Sequence, residues 1–229
     1  MADFGYVKRN YSELVDEISQ LEKQYQRKIT LVAVTKSGTD EELLALAEAG
    51  VTDIGENRPQ ELKRRGDLLR SHGYIPKLHE IGNLQRNKVK LILEDAHLIH
   101  SVDSLSLAEE ISKQSEKFGI TASILIEINS AKEESKGGFD PDEVLDIIPK
   151  IKVLPSLRVC GLMTMGPVVS DTEQIRPYFR LTKSIFDEAM HTHGFDGDGI
   201  LSMGMSDSYR VAIEEGSTLV RVGRKLFSR

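Results

Sequence analysis

Thr30-Leu31-Val32-Ala33-Val34-Thr35-Lys36 is a run of apolar and β-branched residues that ends on a lysine. A short run of this make-up is typical of a buried strand. A lysine at the mouth of such a strand is expected to be partly desolvated, and desolvation disfavours the charged ammonium form. A lysine that is neutral part of the time can attack an aldehyde and form a Schiff base. The simpler interpretation of this segment alone is that Lys36 caps the strand and reaches water, as most lysines do.

The length and composition favour one α/β domain. The chain has 229 residues, a length at which α/β barrels form a single unit. No apolar stretch is long enough for a transmembrane helix. Met1–Asn10 carries two basic residues with no apolar run after them, so no signal peptide is predicted. We therefore expect a cytoplasmic protein in which residues 1–229 form one domain, and we do not expect a membrane as its partner.

The net charge, the cysteine and the histidines exclude further classes of partner and site. The net charge of −6 argues against nucleic acid as a main partner. The one cysteine, Cys160, lies in an apolar run and is predicted to be a buried core thiol. His191 and His193 stand at a predicted helix end, where a cationic side chain suits the helix dipole. Two histidines without further ligands do not make a metal site, so none is predicted.

Strand-like and helix-like segments alternate along the rest of the chain. The predicted strands are Thr30–Lys36, Asp53–Glu56, Lys77–Gly82, Leu98–Asp103, Thr121–Asn129, Arg158–Gly166, Ile200–Ser206 and Thr218–Phe227. The predicted helices are Tyr11–Arg27, Asp40–Gly50, Pro59–Arg70, Arg86–Leu93, Leu105–Phe118, Pro141–Ile151, Asp171–His191 and a short one capped by Asp207. This order predicts a single (β/α)8 TIM barrel with an extra N-terminal helix. An open doubly wound sheet is the alternative, and it is the weaker one because the dinucleotide glycine fingerprint is missing.

The last predicted strand reaches nearly to the end of the chain. The barrel would then lack its final outer helix, and the extra N-terminal helix is expected to cover the gap. Val220 and Val222 share the face of this strand that suits the helix layer, which sends Arg221 toward the barrel interior. An inward guanidinium needs an acceptor. That acceptor is either a structural partner such as Glu127 or a bound ligand.

Small and polar residues follow the seventh and eighth strands, where barrels of this kind bind phosphate. Gly204, Ser206 and Gly223, with Arg224 beside it, place free backbone N–H groups there. Ser206 with Asp207 is also compatible with a plain helix N-cap. A phosphate site, a desolvated lysine and a buried arginine together fit pyridoxal 5′-phosphate (PLP). The lysine would meet the aldehyde, the arginine the ring nitrogen, and the serine and glycines the phosphate.

The same residues carry a family resemblance that runs nearly end to end. The matching segments are Val32-Ala33-Val34-Thr35-Lys36, Gly55-Glu56-Asn57, His79-Glu80-Ile81-Gly82 with Leu84-Gln85 and Asn87-Lys88, Ser135-Lys136-Gly137, Gly161-Leu162-Met163, Leu201-Ser202-Met203-Gly204-Met205-Ser206-Asp207 and Val220-Arg221-Val222-Gly223. With these segments the chain resembles the pyridoxal phosphate homeostasis proteins, which share the fold of the N-terminal barrel of alanine racemase.

The resemblance implies a role for each site residue. Lys36 would carry PLP covalently and Arg221 would face the pyridine nitrogen. Ser206, Gly223 and Arg224 would hold the phosphate, and Asn57 and His79 would line the pocket. The chain departs from the family pattern in four places, which are Glu80, Asn83, Arg224 and Lys225.

The resemblance also bears on mechanism. Alanine racemases need a second base, a tyrosine from a further domain of the partner subunit, and this chain ends with the barrel. An arginine at the ring nitrogen keeps its proton, so the pyridine stays unprotonated and is a weaker electron sink. We therefore expect a non-catalytic protein of intracellular PLP homeostasis, monomeric or weakly dimeric, that holds PLP and delivers or buffers it. PLP-dependent apoenzymes are the candidate recipients. The alternatives are a slow PLP-dependent amino-acid racemase and, less favoured, a phosphosugar enzyme.

Overall fold

The structure, a computed structural model, describes residues 4–133 and 136–229. Its strands are β1 (Thr30–Val34), β2 (Asp53–Glu56), β3 (Lys77–Glu80), β4 (Ala96–Val102), β5 (Ala122–Glu127), β6 (Leu157–Met163), β7 (Ile200–Ser202) and β8 (Leu219–Val222). All neighbours are parallel, and β8 pairs with β1. The predicted closed barrel is confirmed.

Helices connect the strands on the outside of the barrel. They are α1 (Gly5–Tyr25), α2 (Asp40–Glu48), α3 (Pro59–Ser71), α4 (Val89–Ile92), α5 (Leu105–Phe118), α6 (Val144–Lys152), α7 (Arg176–Thr192), α8 (Tyr209–Glu214) and α9 (Arg224–Phe227). Short 3-10 turns at Arg86–Lys88 and Thr172–Ile175 precede α4 and α7. Local signals set several ends: a capping box of Thr39 and Glu42 starts α2, and Pro59 occupies the first turn of α3.

The end of the chain differs from the prediction. The eighth strand stops at Val222, and residues 224–227 form α9 where a continuing strand was expected. The burial pattern after β8 fits a helical turn and not strand alternation, since Arg224 and Lys225 are both exposed and Leu226 is buried. The N-terminal helix covers this side of the barrel as expected, because Asn10 Nδ2 donates hydrogen bonds to the carbonyl oxygens of Leu226 (3.2 Å) and Ser228 (2.8 Å). The seventh strand also ends early, at Ser202.

Apolar side chains fill two layers. The larger core lies between the strands and the helices. A smaller group inside the barrel, the interior cluster, consists of Val32, Leu98, Leu125, Cys160, Met163 and Leu219. Cys160 is buried, as predicted. Among the described residues, no helix combines the length and apolar character needed to cross a membrane.

Candidate functional site

A cavity of about 400 Å³ opens at the carboxyl ends of the strands. The six predicted site residues that line it are Lys36, Asn57, Ser206, Arg221, Gly223 and Arg224. The ends of β1, β2, β7 and β8 supply these residues, so the parallel barrel brings together groups that are far apart in sequence. The cavity is the candidate site.

Lys36 lies at the rim of the cavity and is exposed. The expectation that strand burial desolvates it is therefore wrong. The reason is local: β1 ends at Val34, and the chain then turns, with Gly38 N donating to Thr35 O at 2.9 Å. The ammonium group thus stands in the open turn after the strand, where it can reach a molecule that enters the cavity.

Ser206 and the start of α9 form a group of hydrogen-bonding atoms at the cavity. The Ser206 Oγ accepts hydrogen bonds from the backbone N–H groups of Gly223 (3.2 Å) and Arg224 (3.1 Å). Both N–H groups are therefore turned toward the cavity wall. At Gly223 a Cβ atom would lie 2.9 Å from Val34 O, so only glycine lets the strands approach this closely.

The rim beside this geometry carries an ion pair. Asp207 and Arg224 pair with each other, and their side chains are 70% and 73% exposed. The expectation that Asp207 caps the following helix is wrong, because Ser208 occupies the N-cap position of α8. The Ser208 Oγ accepts a hydrogen bond from Met205 N at 3.1 Å. Asp207 is instead left at the rim as the partner of Arg224.

Arg221 points into the barrel interior, as the strand alternation predicted. It is 4% exposed. Its guanidinium donates from Nη1 to Ser202 Oγ and from Nη2 to Thr164 O (3.0 Å). Burial lowers the pKa of Arg221 to about 10, and the charge of Glu127 opposes the shift. The two hydrogen-bond acceptors are neutral, so Glu127 acts on Arg221 through space and not through the contact proposed from the sequence.

Glu127 is itself a buried acid near the base of the site. It is 5% exposed at the end of β5. Burial raises its pKa to about 7, the charge of Asp103 adds to the rise, and Arg221 opposes it. A second, very small cavity lies beside Glu127 and is bounded by Thr164 and Lys136. The sequence analysis named Glu127 only as a possible partner for Arg221 and did not identify it as a titratable group of the site.

Lys136 contributes a second amine to the wall of the main cavity. Its Nζ donates hydrogen bonds to Glu133 Oε1 (2.8 Å) and Gly166 O (3.0 Å). Lys136 belongs to the Ser135-Lys136-Gly137 segment of the resemblance, in which Ser135 lies outside the described residues. The opposite wall is apolar and includes Met165 and Ile175.

His79 does not line the cavity, contrary to the prediction. It is 2% exposed and lies inside the barrel. Its Nδ1 is 2.9 Å from His100 Nε2, and its Nε2 is 2.9 Å from Asp53 Oδ1. Asp53 begins β2, so His79 points toward the amino-terminal end of the barrel, away from the cavity. His100 was not predicted from the sequence. His100 and Leu98 are two residues apart on β4, so their side chains lie on the same, interior face.

Glu80 lies on the strand face opposite to His79 and is fully buried. Its Oε1 accepts a hydrogen bond from Gly82 N at 3.2 Å, whereas Oε2 has no partner among the described residues. Burial raises the pKa of Glu80 to about 8, and the charge of Glu56 adds to the rise. This departure from the family pattern is therefore a structural carboxyl behind the site and is protonated at neutral pH.

The other two departures also lie outside the cavity wall. Lys225 donates to the hydroxyl of Tyr209 at 2.8 Å and lies over its ring. The Asn83 side chain donates a long hydrogen bond of 3.4 Å to Asp103. Of the two added cations, only Arg224 lies at the candidate site.

The comparisons with known proteins agree with this geometry. The family described as alanine racemase, N-terminal domain, matches residues 10–228. A pyridoxal phosphate homeostasis protein from Aquifex aeolicus is 39% identical over 197 residues, which cover 86% of this chain and 85% of that protein. Another, from Helicobacter pylori, is 36% identical over 93% of this chain and 95% of that protein.

Solved structures show the same barrel. The PipY protein of Synechococcus elongatus, solved with PLP bound, superposes with a TM-score of 0.84 at 26% identity and covers 97% of this chain and 100% of that one. An alanine racemase from Clostridium difficile shares the fold alone, with a TM-score of 0.73 at 18% identity over 93% of this chain and 58% of that one. Together, the family match and the identity over most of the chain show that this protein belongs to the pyridoxal phosphate homeostasis proteins of the alanine racemase N-terminal domain family.

Proposed function

We propose that the protein takes part in intracellular PLP homeostasis by holding PLP as a Schiff base on Lys36 and by buffering or delivering it. One observation carries the proposal. The cavity combines an exposed amine at Lys36, two backbone N–H groups at Gly223 and Arg224, and the buried guanidinium of Arg221. These three features complement the aldehyde, the phosphate and the ring nitrogen of PLP. The PLP-bound relative supports the same ligand.

The phosphate end of this fit rests on the backbone. The Ser206 hydroxyl and the N–H groups of Gly223 and Arg224 are hydrogen-bonding groups gathered at one point, and the Arg224 side chain adds positive charge at the rim. Backbone N–H groups and an arginine are the usual ligands of a phosphate. The absence of a Cβ at Gly223 lets the backbone lie close to Val34 O of β1, which keeps these N–H groups at the cavity wall.

The aldehyde end rests on Lys36. When bound, PLP supplies an aldehyde and an electron-accepting ring. Lys36 would hold the cofactor at that aldehyde through its amine. Asn57, which is half-buried, lines the same part of the cavity and can donate a hydrogen bond to the ring substituents.

Arg221 favours holding the cofactor over rapid chemistry on it. A guanidinium keeps its proton, so Arg221 would donate a hydrogen bond to a ring nitrogen in the cavity and would not protonate it. A pyridine held in this way would be a weaker electron acceptor than a protonated one. The protein therefore acts as a carrier, and delivery to apoenzymes is the natural outlet for a reversibly bound aldehyde.

The test is a titration of the purified protein with PLP, followed by absorbance, with borohydride reduction and peptide mapping at the end. We expect a shifted absorption band and a single reduced adduct on Lys36. Lys36→Ala should lose the band and the adduct while its thermal unfolding is unchanged. Lys132→Ala is the matched control, because Lys132 is an exposed lysine whose partners are Asp140 and Asp142, away from the cavity. An adduct on a different lysine would show that the assignment of Lys36 is wrong.

Two further measurements separate the carrier from the other candidate functions. Pyridoxal without its phosphate should bind much more weakly than PLP, and equal binding would contradict the phosphate site. Exchange of the α-proton of amino acids in deuterated water should be far slower than ordinary enzyme turnover of about 10 per second. Fast and complete racemisation would contradict the carrier and favour the racemase.

A further inference from the structure

A continuous row of hydrogen bonds runs through the barrel interior from Asp53 to Arg221, and we call it the relay. Asp53 Oδ1 is 2.9 Å from His79 Nε2, and His79 Nδ1 is 2.9 Å from His100 Nε2. His100 Nδ1 is 3.0 Å from Ser202 Oγ, which accepts a hydrogen bond from Arg221. The relay crosses the barrel from the amino-terminal end of β2 to the base of the candidate site.

All members of the relay are buried. Their exposed fractions are 7% for Asp53, 2% for His79, 0% for His100, 0% for Ser202 and 4% for Arg221. Buried polar groups on this scale are costly unless each donor meets an acceptor. Every ring nitrogen and hydroxyl in the relay has such a partner. A row this complete sets the orientation of each side chain in it.

The ends of the relay determine where its protons lie. Burial alone would raise the pKa of Asp53, but hydrogen bonds from His79 and Thr52 outweigh it and hold the pKa below its usual value. Asp53 is therefore a carboxylate that can only accept, so His79 Nε2 carries a proton. Complete burial, with the charge of Arg221 adding to it, lowers the pKa of His100 well below its usual value, so His100 is neutral.

The Ser202 hydroxyl sets the direction in the middle of the relay. It accepts a hydrogen bond from Arg221, and its own proton needs an acceptor, which His100 Nδ1 provides at 3.0 Å. Because His100 is neutral, its proton lies on Nε2, which donates to His79 Nδ1. Ser202 donates to His100 Nδ1 and accepts from Arg221. Each bond points the same way, from Arg221 toward Asp53.

We propose that His100 and His79 are positioning residues that tie Arg221 to the Asp53 carboxylate and so fix the guanidinium that faces the cofactor ring. The tie acts through Ser202, while Thr164 O holds the other terminal nitrogen of Arg221 at 3.0 Å. The guanidinium is thus held at Nη1 and Nη2, and its remaining N–H groups are left for the cavity that it lines. The relay links the buried cation to a carboxylate at the far end of the barrel, in addition to the charge of Glu127 that acts on it through space. Its effect on the cofactor rests on the proposed function, whereas its geometry does not.

The first test uses the protein without cofactor. Histidine labelled with the heavy nitrogen isotope allows NMR to report which ring nitrogens carry protons. We expect both His79 and His100 to be neutral with the proton on Nε2 at neutral pH. A doubly protonated His79, or a proton on His100 Nδ1, would overturn the proposed direction of the relay.

The second test breaks the relay at a distance from the cavity. Asp53→Asn keeps the shape and an acceptor but removes the charge, so the ring-nitrogen signals of both histidines should shift. His100→Leu should abolish the link to Ser202, whereas His100→Gln offers one donor and one acceptor and should preserve it in part. His97→Gln is the matched control, because His97 is an exposed histidine whose ring lies against His79 without belonging to the relay.

The readout for these variants is the absorption maximum and the affinity of bound PLP, with thermal unfolding measured alongside. His100→Leu and Asp53→Asn should weaken PLP binding by about tenfold, the scale seen when the outer partner of a metal ligand is removed. His100→Gln should restore part of the loss, and His97→Gln should behave like the parent. If Asp53→Asn shifts neither the His100 signals nor the PLP spectrum, the proposal is wrong. If the parent fails to bind PLP, the proposed function fails, while the NMR of the cofactor-free protein still decides the relay.

Discussion

At the carboxyl-terminal mouth of the barrel, Lys36 and Arg224 are exposed and Asn57 is half-buried, whereas His79 and His100 in the interior are fully enclosed. The mouth presents charged side chains to solvent, and its backbone N–H groups at Gly223 and Arg224 donate to the Ser206 hydroxyl. The interior joins polar groups pairwise and surrounds them with the interior cluster. The same eight strands support both regions. A substitution at the mouth removes few packing contacts, whereas a substitution in the interior removes many.

This difference in burial predicts which substitutions lower PLP affinity and which lower the stability of the fold. A change at the mouth removes a ligand contact and leaves the packing in place, so we expect affinity to fall and stability to stay. A change in the interior leaves a cavity or an unpaired polar group, so stability falls first. Arg221 and Ser202 belong to both regions, because Arg221 lines the cavity while its hydrogen bonds lie inside the barrel. Substitutions there should affect both properties.

The largest effect on stability is expected from Leu125→Ala in the interior cluster. Leu125 is fully buried on β5, and truncation of such a leucine costs about 2–5 kcal/mol in free energy of unfolding. PLP affinity of the folded variant should be close to that of the parent. Urea denaturation measures the first quantity and PLP titration the second. Leu181→Ala on α7, where the side chain is 39% exposed, is the control and should cost less than about 0.5 kcal/mol. If Leu125→Ala lost more PLP binding free energy than free energy of unfolding, the expectation that interior substitutions act mainly on stability would be wrong.

The largest effect on binding is expected from Gly223→Val. The new side chain would meet Val34 O at 2.9 Å, so the backbone that is proposed to bind the phosphate would have to shift. Because Gly223 packs against β1, overpacking should also lower the free energy of unfolding by about 1–3 kcal/mol. PLP affinity should fall by at least about tenfold, or about 1.4 kcal/mol. Ser206→Ala removes one hydroxyl and keeps the backbone N–H groups, so it should cost about 1 kcal/mol, or roughly fivefold. A larger loss for Ser206→Ala than for Gly223→Val, in parallel PLP titrations, would contradict a site built on the backbone.

The sequence predicts the barrel because each strand carries its own local signal. The apolar run at 30–36 and the alternation that places Arg221 inside both hold in the structure. Lys36 was placed at the right end of the right strand, but its exposure was not predicted. Strand ends are not encoded in the apolar pattern, so the burial of a residue two positions beyond β1 depends on the loops around it.

The hydrogen bonds of the buried relay could not be predicted from the sequence for a related reason. His79 was assigned to the pocket because the resemblance places it among motif residues, and a motif does not state which way along the barrel axis a side chain points. His100 and Asp53 lie on other strands, and only the strand register brings them to His79. Tertiary contacts of this kind need the assembled barrel.

Glu80 tests whether a titratable group in a packed region makes stability depend on pH. Its pKa is about 8 in the folded protein against an ordinary value of 4.5. The folded state therefore binds the proton more tightly, and its stabilising effect is full below pH 4.5 and is lost as the pH rises through about 8. The free energy of unfolding changes by at most about 1.4 kcal/mol per pH unit in that window.

Glu80→Gln should flatten the decline in melting temperature with rising pH, whereas the exposed control Glu109→Gln should not. Identical curves for Glu80→Gln and the parent would show that Glu80 does not titrate in this window.

The smallest effect is expected from Arg224→Gln at the mouth. The Arg224–Asp207 pair is more than two-thirds exposed on both sides, and ion pairs of this kind contribute little to stability. The melting temperature should therefore stay at the parent value. PLP affinity should fall only a few-fold, because the backbone N–H groups that we propose as phosphate ligands remain in place. The loss should be larger at low salt, where an exposed charge is less screened.

Arg180→Gln is the matched control, since Arg180 is an exposed arginine paired with Glu215 away from the cavity. Titrations at two salt concentrations decide the matter: a loss that does not depend on salt would mean that Arg224 acts through the geometry of the mouth and not through its charge.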